Sequence, residues 1–234
     1  MWSLRERQPR TNDITREPSA NDMTHALKGT TTVGLCSQDG IVLVTDRRAT
    51  TGFLIANKRA VKVYKLDKFV GATIAGRVAD AQQIIDIAKA EFALYYLNHG
   101  RRIPIHSAAR FLGNILFGNR AFPMIIQCIV AGVKPQPHLY TLDPLGSVIE
   151  EKTFVATGSG APIAYGILED SYSPDLTIED GLNIALRTVR AATQRDAATG
   201  NGYNIATITQ TDGCEILSEE QIDTLIKKFD RTNK

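Results

Sequence analysis

The chain has 234 residues, 43% of them hydrophobic, which suits one domain with a packed core, and nothing in its composition asks for two. Its 27 basic residues against 25 acidic ones leave a formal charge of +2 and no basic stripe, so a nucleic-acid partner has no electrostatic footprint. No stretch approaches the roughly 18 apolar residues of a membrane span, and the charged N-terminus lacks the apolar core of a secretory signal.

In chain order, residues 1–29 ("MWSLRERQPRTNDITREPSANDMTHALKG") mix charges with Pro9 and Pro18 and cannot bury enough surface to fold alone. They read either as a disordered tail or as a removable pro-segment. At Thr30 the pattern changes to strand chemistry: "TTTVGLCS", a "QDG" turn and "IVLVTDRR" predict a hairpin. Strands follow at "VKVYKLD" and "FVGATIAG". In "RVADAQQIIDIAKAEFALYYLNHG", Ala81, Ile85, Ala88, Phe92 and Tyr95 recur at helical steps, with Gly100 as the cap. A second helix, "PIHSAARFLGNILFG", opens with Pro104 at a favoured first position.

Strands "MIIQCIVAGV", "HLYTLD" and "SVIEEKTFVAT" come next, joined in part by a "DPLG" turn. Helices are expected at about 161–171 and 177–196, the later one opened by a capping-box spacing of Thr177 and Asp180 in which Asp replaces the preferred Glu or Gln. "YNIATITQ", a "TDGC" turn, a short strand and the helix "SEEQIDTLIKKF" finish the chain. Two sets of antiparallel strands and two sets of helices predict two sheets packed face to face with helices on the outer faces, an α+β fold. Cys36, Cys128 and Cys214 are far apart in apolar contexts and read as reduced core residues of an intracellular protein.

The conventional sites fail. His25, His99, His106 and His138 are scattered and no Cys-x-x-Cys exists, so no metal site is expected. "GSGAPI" has Ile163 where a dinucleotide fingerprint needs its third glycine, no P-loop lysine follows, and no nucleophile elbow is present. A threonine hydroxyl, however, can use its own α-amine as base if it is the chain terminus, because that amine has a pKa of about 7.7 to 8.0. An internal Thr30 has only an amide nitrogen. Gly29, lacking Cβ, lets the chain bend so that the Thr30 oxygen reaches the preceding carbonyl. The plainer reading of "GTTT" is a loop glycine before a β-prone strand.

Six ordered motifs carry a resemblance: "KGTTTVG" at 28–34, "TDRRAT" at 45–50, "NKRAVKVYKL" at 57–66, "TIAGRVADAQ" at 73–82, "TGSGAPIAYGILE" at 157–169 and "RDAATGNGY" at 195–203. Residues 30 to about 230 resemble the β subunits of the 20S proteasome, archaeal type, which are N-terminal-nucleophile hydrolases with a four-layer αββα sandwich. The resemblance implies that residues 1–29 are a propeptide and 30–234 a single catalytic domain, with autocleavage between Gly29 and Thr30.

It further implies Thr30 as nucleophile and, once exposed, as base. Lys62 matches the lysine that favours the reactive oxygen, and Asp46 the acid that pairs with it, with Arg48 just outside this set. By themselves Lys62 reads as a solvated strand lysine and Asp46 as a turn residue. Asp196 and Thr199 match a pair that binds the terminal amine, with Ser159 a further partner, although the family usually has serine at the position of Thr199. Gly76 matches the oxyanion-hole glycine. Ala49, Ala60, Ile74 and Val78 match the pocket for the residue before the cut, whose apolar character implies hydrophobic side chains there. Of the three threonines only Thr30 has to be one; Thr31 and Thr32 read as strand.

No cofactor is implied. The implied partners are a seven-membered homo- or hetero-oligomeric β ring stacked with α-subunit rings, a regulatory ATPase, and unfolded protein substrates, in the cytoplasm. The rival readings are a structural β subunit that never matures, or another hydrolase of the same nucleophile class acting on small amides.

Overall fold

The computed structural model describes residues 29–232. The pro-segment reading therefore falls on residues outside the described ones, apart from Gly29. Strand chemistry starts where β-branched residues begin, at β1 (Thr31–Cys36), and continues through β2 (Gly40–Asp46), a small hairpin of β3 (Ala49–Thr51) and β4 (Leu54–Asn57), then β5 (Val63–Asp67) and β6 (Val70–Gly76). Helices α1 (Val78–His99) and α2 (Ile105–Gly118) precede β7 (Ile126–Val133), β8 (Pro137–Leu142), β9 (Val148–Glu151) and β10 (Phe154–Gly158). Helices α3 (Ala161–Ser171) and α4 (Ile178–Arg195), strands β11 (Tyr203–Thr209) and β12 (Gly213–Ile216), and α5 (Glu219–Thr232) complete it.

Two five-stranded sheets result, ordered β10-β1-β2-β11-β12 and β5-β6-β7-β8-β9, antiparallel throughout. Period-2 alternation then divides each strand between two apolar layers. Cys36, Ile41, Leu43, Ile129, Leu139 and Ile208 pack between the sheets. Val33, Leu35, Val42 and Val44 turn the other way, onto Leu182, Leu186 and Val189 of α4. On the far side Ile126, Cys128 and Val130 of β7 meet Ile84, Phe92, Leu112 and Leu116 of α1 and α2. Three cores between four layers make the αββα sandwich, and each large side chain buried there stabilises it by about 1.5–3 kcal/mol.

Several local expectations change. "SVIEEKTFVAT" is not one strand: after Glu151 the chain leaves the second sheet, and it re-enters the first at Phe154. The hairpin β3–β4 lies outside both sheets, and Phe53 at its tip is fully exposed. Pro104 is the cap residue before α2, with an extended ψ of 143°, rather than its first helical residue. Gly213 and Cys214 of the "TDGC" turn already belong to β12, and Tyr95 is half-buried where Ile84 is fully buried. Asp180 does close the capping box with Thr177. The three cysteines are free and buried, which pushes the thiols of Cys36 and Cys128 up to about 12 and that of Cys214 to about 11. Among the described residues no helix is long and apolar enough to cross a membrane.

Candidate active site

The ends of both sheets and of α4 converge on the residue before β1. Asp46 terminates β2 with no exposed surface, and its carboxylate meets four donors. Oδ1 accepts from the Thr31 N–H at 3.1 Å and the Lys62 ammonium at 2.7 Å. Oδ2 accepts from the N–H groups of Arg48 and Gly200, both at 2.9 Å. A buried carboxylate is tolerable only when satisfied in this way.

Lys62 precedes β5 in the other sheet, its N–H donating to Asn204 Oδ1 at 3.0 Å. Its Nζ donates to Asp46, to the Arg48 carbonyl at 2.6 Å and to the Gly29 carbonyl at 3.3 Å. An ammonium has three protons, and here it meets three acceptors. Burial lowers the Lys62 pKa from its ordinary value, with the Asp46 charge opposing that shift.

Gly29 has φ of +138°, a region that side-chain-bearing residues rarely enter. That bend brings the Thr30 hydroxyl 2.6 Å from the Gly29 carbonyl oxygen, to which it donates. The same carbonyl oxygen thus receives both Thr30 Oγ1–H and Lys62 Nζ–H.

A second polar group lies beside the Gly29 amide. Asp196 ends α4, and its Oδ2 accepts from the hydroxyls of Ser159 and Thr199, each at 2.5 Å, while Oδ1 accepts from the Ala198 N–H at 3.1 Å. Ser159 Oγ in turn accepts from the Gly29 N–H at 3.3 Å and lies 3.4 Å from the Thr30 carbonyl oxygen. Thr199 therefore offers the hydroxyl that a serine would offer, and its side chain is fully buried. Arg48 clamps the same loop, donating to the Ala197 carbonyl at 2.6 Å and Asn201 Oδ1 at 2.8 Å.

Gly29, Thr30, Lys62 and Gly76 line one cavity of about 660 Å³. Ala49, Ala60, Ile74 and Val78 line it as well. Gly76 ends β6 with φ of +130°, and a Cβ there would lie 2.1 Å from the Ile125 carbonyl oxygen. All the matched residues are thus in one place.

Sequence reasoning missed some neighbours. Tyr64 and Gln82 also line the cavity, and periodicity points to both: Tyr64 is two residues past Lys62 along β5, and Gln82 four past Val78 along α1. Asn204 and Gly200, which anchor Lys62 and Asp46, carry no such signal. Thr31 is more than strand, because its hydroxyl lies 2.7 Å from that of Thr199. Thr32 pairs with Thr157 across the strands at 2.7 Å.

Two face-to-face sheets between helical layers, with a hydroxyl residue opening a central strand beside a buried Lys-Asp pair, define the N-terminal-nucleophile hydrolase sandwich. Within that class the chain belongs to the proteasome subunit family, whose profile matches residues 26–208. It is 45% identical over 206 residues to the proteasome subunit beta of Methanothermobacter thermautotrophicus, covering 88% of this chain and 98% of that one. Against the proteasome subunit beta of Methanocaldococcus vulcanius it is 48% identical over 202 residues, 86% and 90% of the two chains. Against that of Methanococcus aeolicus it is 48% identical over 201 residues, 85% and 92% of the two.

Proposed function

We propose that the chain is a catalytic β subunit of a proteasome core, a threonine endopeptidase that first cleaves its own Gly29–Thr30 bond and then cuts unfolded proteins into peptides. The observation that carries this reading is the Gly29 carbonyl held between the Thr30 hydroxyl at 2.6 Å and the Lys62 ammonium at 3.3 Å. In self-cleavage a bond forms from Thr30 Oγ to the Gly29 carbonyl carbon and the C–N bond to Thr30 breaks, the hydroxyl proton passing in net to the nitrogen. Lys62 stabilises the charge that develops on the Gly29 oxygen. Water then hydrolyses the ester, releasing the tail with Gly29 as its carboxyl end and freeing the α-amine of Thr30.

That amine, beside Ser159 and Asp196, is the base for peptide cleavage. It takes the Thr30 hydroxyl proton as Oγ attacks the substrate carbonyl, passes it to the leaving amine, and then activates the water that breaks the acyl-enzyme. The Gly76 N–H faces the oxyanion. Ala49, Ala60, Ile74 and Val78 hold an apolar side chain before the cut. The names of the relatives support assembly into a proteasome core; by the resemblance of the sequence motifs, that core stacks β rings with α-subunit rings, and an ATPase feeds unfolded chains inward in the cytoplasm.

Thr30→Ala tests the chemistry. An uncleaved chain in the assembled particle and no peptide hydrolysis are expected; hydrolysis at the wild-type rate by Thr30→Ala would overturn the reading. The presence of Thr30, Gly29, Asp46, Lys62 and Asp196 together favours this reading over a subunit that only shapes the ring.

A further inference from the structure

Thr31 is fully buried, and the steps above do not use its hydroxyl. That hydroxyl lies 2.7 Å from Thr199 Oγ1. The next link fixes the direction of the bond. Thr199 donates to Asp196 Oδ2 at 2.5 Å, and a carboxylate only accepts. A hydroxyl has one proton, so the Thr199 oxygen is left to accept from Thr31. Ser159 follows the same logic on the other side: its proton goes to Asp196 Oδ2, and its oxygen accepts from the Gly29 N–H. The run Thr31 to Thr199 to Asp196 is therefore a directed chain ending on the carboxylate beside the scissile bond.

Space for the first link is built into the fold. A Cβ on Gly160 would sit 2.0 Å from Thr31 Oγ1, so the residue opening α3 leaves room for this hydroxyl. The β-branched Thr199 has few χ1 wells, only some of which place its oxygen within reach of Asp196. A donor at Thr31 selects among them.

We infer that Thr31 is a positioning residue whose hydroxyl locks Thr199, and through it the Asp196 carboxylate, in the place that receives the Thr30 α-amine once the tail has left. This rests on the peptidase reading above. Without the Thr31 donor, Thr199 has a buried oxygen with no proton to accept and a hydroxyl free to turn, so Asp196 loses one of its two hydroxyl donors for part of the time. The α-amine is then less well held as a base, while the substrate pocket, which neither Thr31 nor Thr199 lines, is untouched.

The test compares wild type, Thr31→Val and Thr31→Ser as full chains assembled with their α partners, reading N-terminal processing together with kcat and KM for a fluorogenic peptide across pH. Thr31→Val keeps the shape and removes the hydroxyl. It is expected to lower kcat about tenfold, to leave KM within about twofold and to move the acid limb of the kcat profile; Thr31→Ser is expected to restore both. Accumulated precursor in Thr31→Val but not in Thr31→Ser also supports the role, since the same network holds Ser159 on the Gly29 amide. A wild-type kcat and acid limb in Thr31→Val, or equal damage in Thr31→Ser, overturns it. Should Thr31→Val fail to assemble, Gly160→Ala displaces the hydroxyl without removing it, and a wild-type profile there overturns the role. A wild-type particle that keeps residues 1–29 and cleaves nothing overturns the peptidase reading itself; a processed, active wild type beside an unaltered Thr31→Val overturns only the part assigned to Thr31.

Discussion

Lys62 donates to three acceptors, and only its ammonium has a proton for each. Burial nevertheless draws its pKa down from the ordinary lysine value, about 10.4 in an unfolded chain. Between the folded and unfolded values the unfolded chain binds more protons, so the contribution of this group to stability is lowest below that window and rises with pH across it. Self-cleavage has the opposite dependence, because the ammonium that holds the Gly29 oxygen is lost over the same window. Relative to Lys62→Met, wild type should therefore gain unfolding free energy as pH rises toward about 10.4 while its precursor is cleaved more slowly. Denaturant unfolding and precursor cleavage measured across pH check this, and cleavage that stays constant up to that pH contradicts it. Lys62→Met itself should not cleave at any pH.

Gly76 gives a second expectation at this scale. Its positive φ and the Ile125 carbonyl oxygen 2.1 Å from a would-be Cβ mean that Gly76→Ala must move the backbone that carries the oxyanion donor. Losing such a donor costs about 100- to 1000-fold in kcat. Gly76→Ala should show that loss in peptide hydrolysis while residue 30 remains in place. Thr31 marks the limit of reading single residues: "GTTT" looks alike at all three threonines, and only the partners brought in from positions 157 and 199 tell them apart.

Among elements, those with unbroken periodicity were legible. The β1–β2 hairpin, α1 and α4 follow from alternation and helical spacing, and the box at the start of α4 forms although Asp180 is shorter than the preferred Glu. Thr177→Ala should cost about 0.5–2 kcal/mol, a fall in Tm of about 2–4 °C per kcal/mol for a domain of this size, read by thermal unfolding. Other elements were not legible for physical reasons. Strand chemistry runs on through "SVIEEKTFVAT", so nothing local marks the passage from one sheet to the other between Glu151 and Phe154. The short β3–β4 hairpin has exposed apolar residues, Phe53 and Leu54, and no alternation toward a core. The cavity lining was half visible: Tyr64 and Gln82 obey the same periods as Lys62 and Val78, whereas Asn204 and Gly200 are defined only by the pairing of β11 with β2 and the loop before it.

For the whole molecule, the site exists only when the layers meet. Thr30 leads into and Asp46 ends strands of the first sheet, Lys62 leads into and Gly76 ends strands of the second, Ser159 comes from the turn after β10, and Asp196 and Thr199 from the end of α4 and the loop beyond it. Loss of packing between the sheets would therefore separate nucleophile from lysine. The buried thiols, raised to about 11 or 12, should resist alkylation by iodoacetamide in the folded chain and react on unfolding, as mass spectrometry can count. Trp2 is the only tryptophan, so removal of residues 1–29 should abolish tryptophan emission from this subunit.

The most direct measurement is intact-mass and N-terminal analysis of this chain recovered from particles assembled with the α partner. The expected result is a chain beginning at Thr30, with all 29 preceding residues gone. A fully assembled particle in which the chain still begins ahead of Gly29 would contradict it.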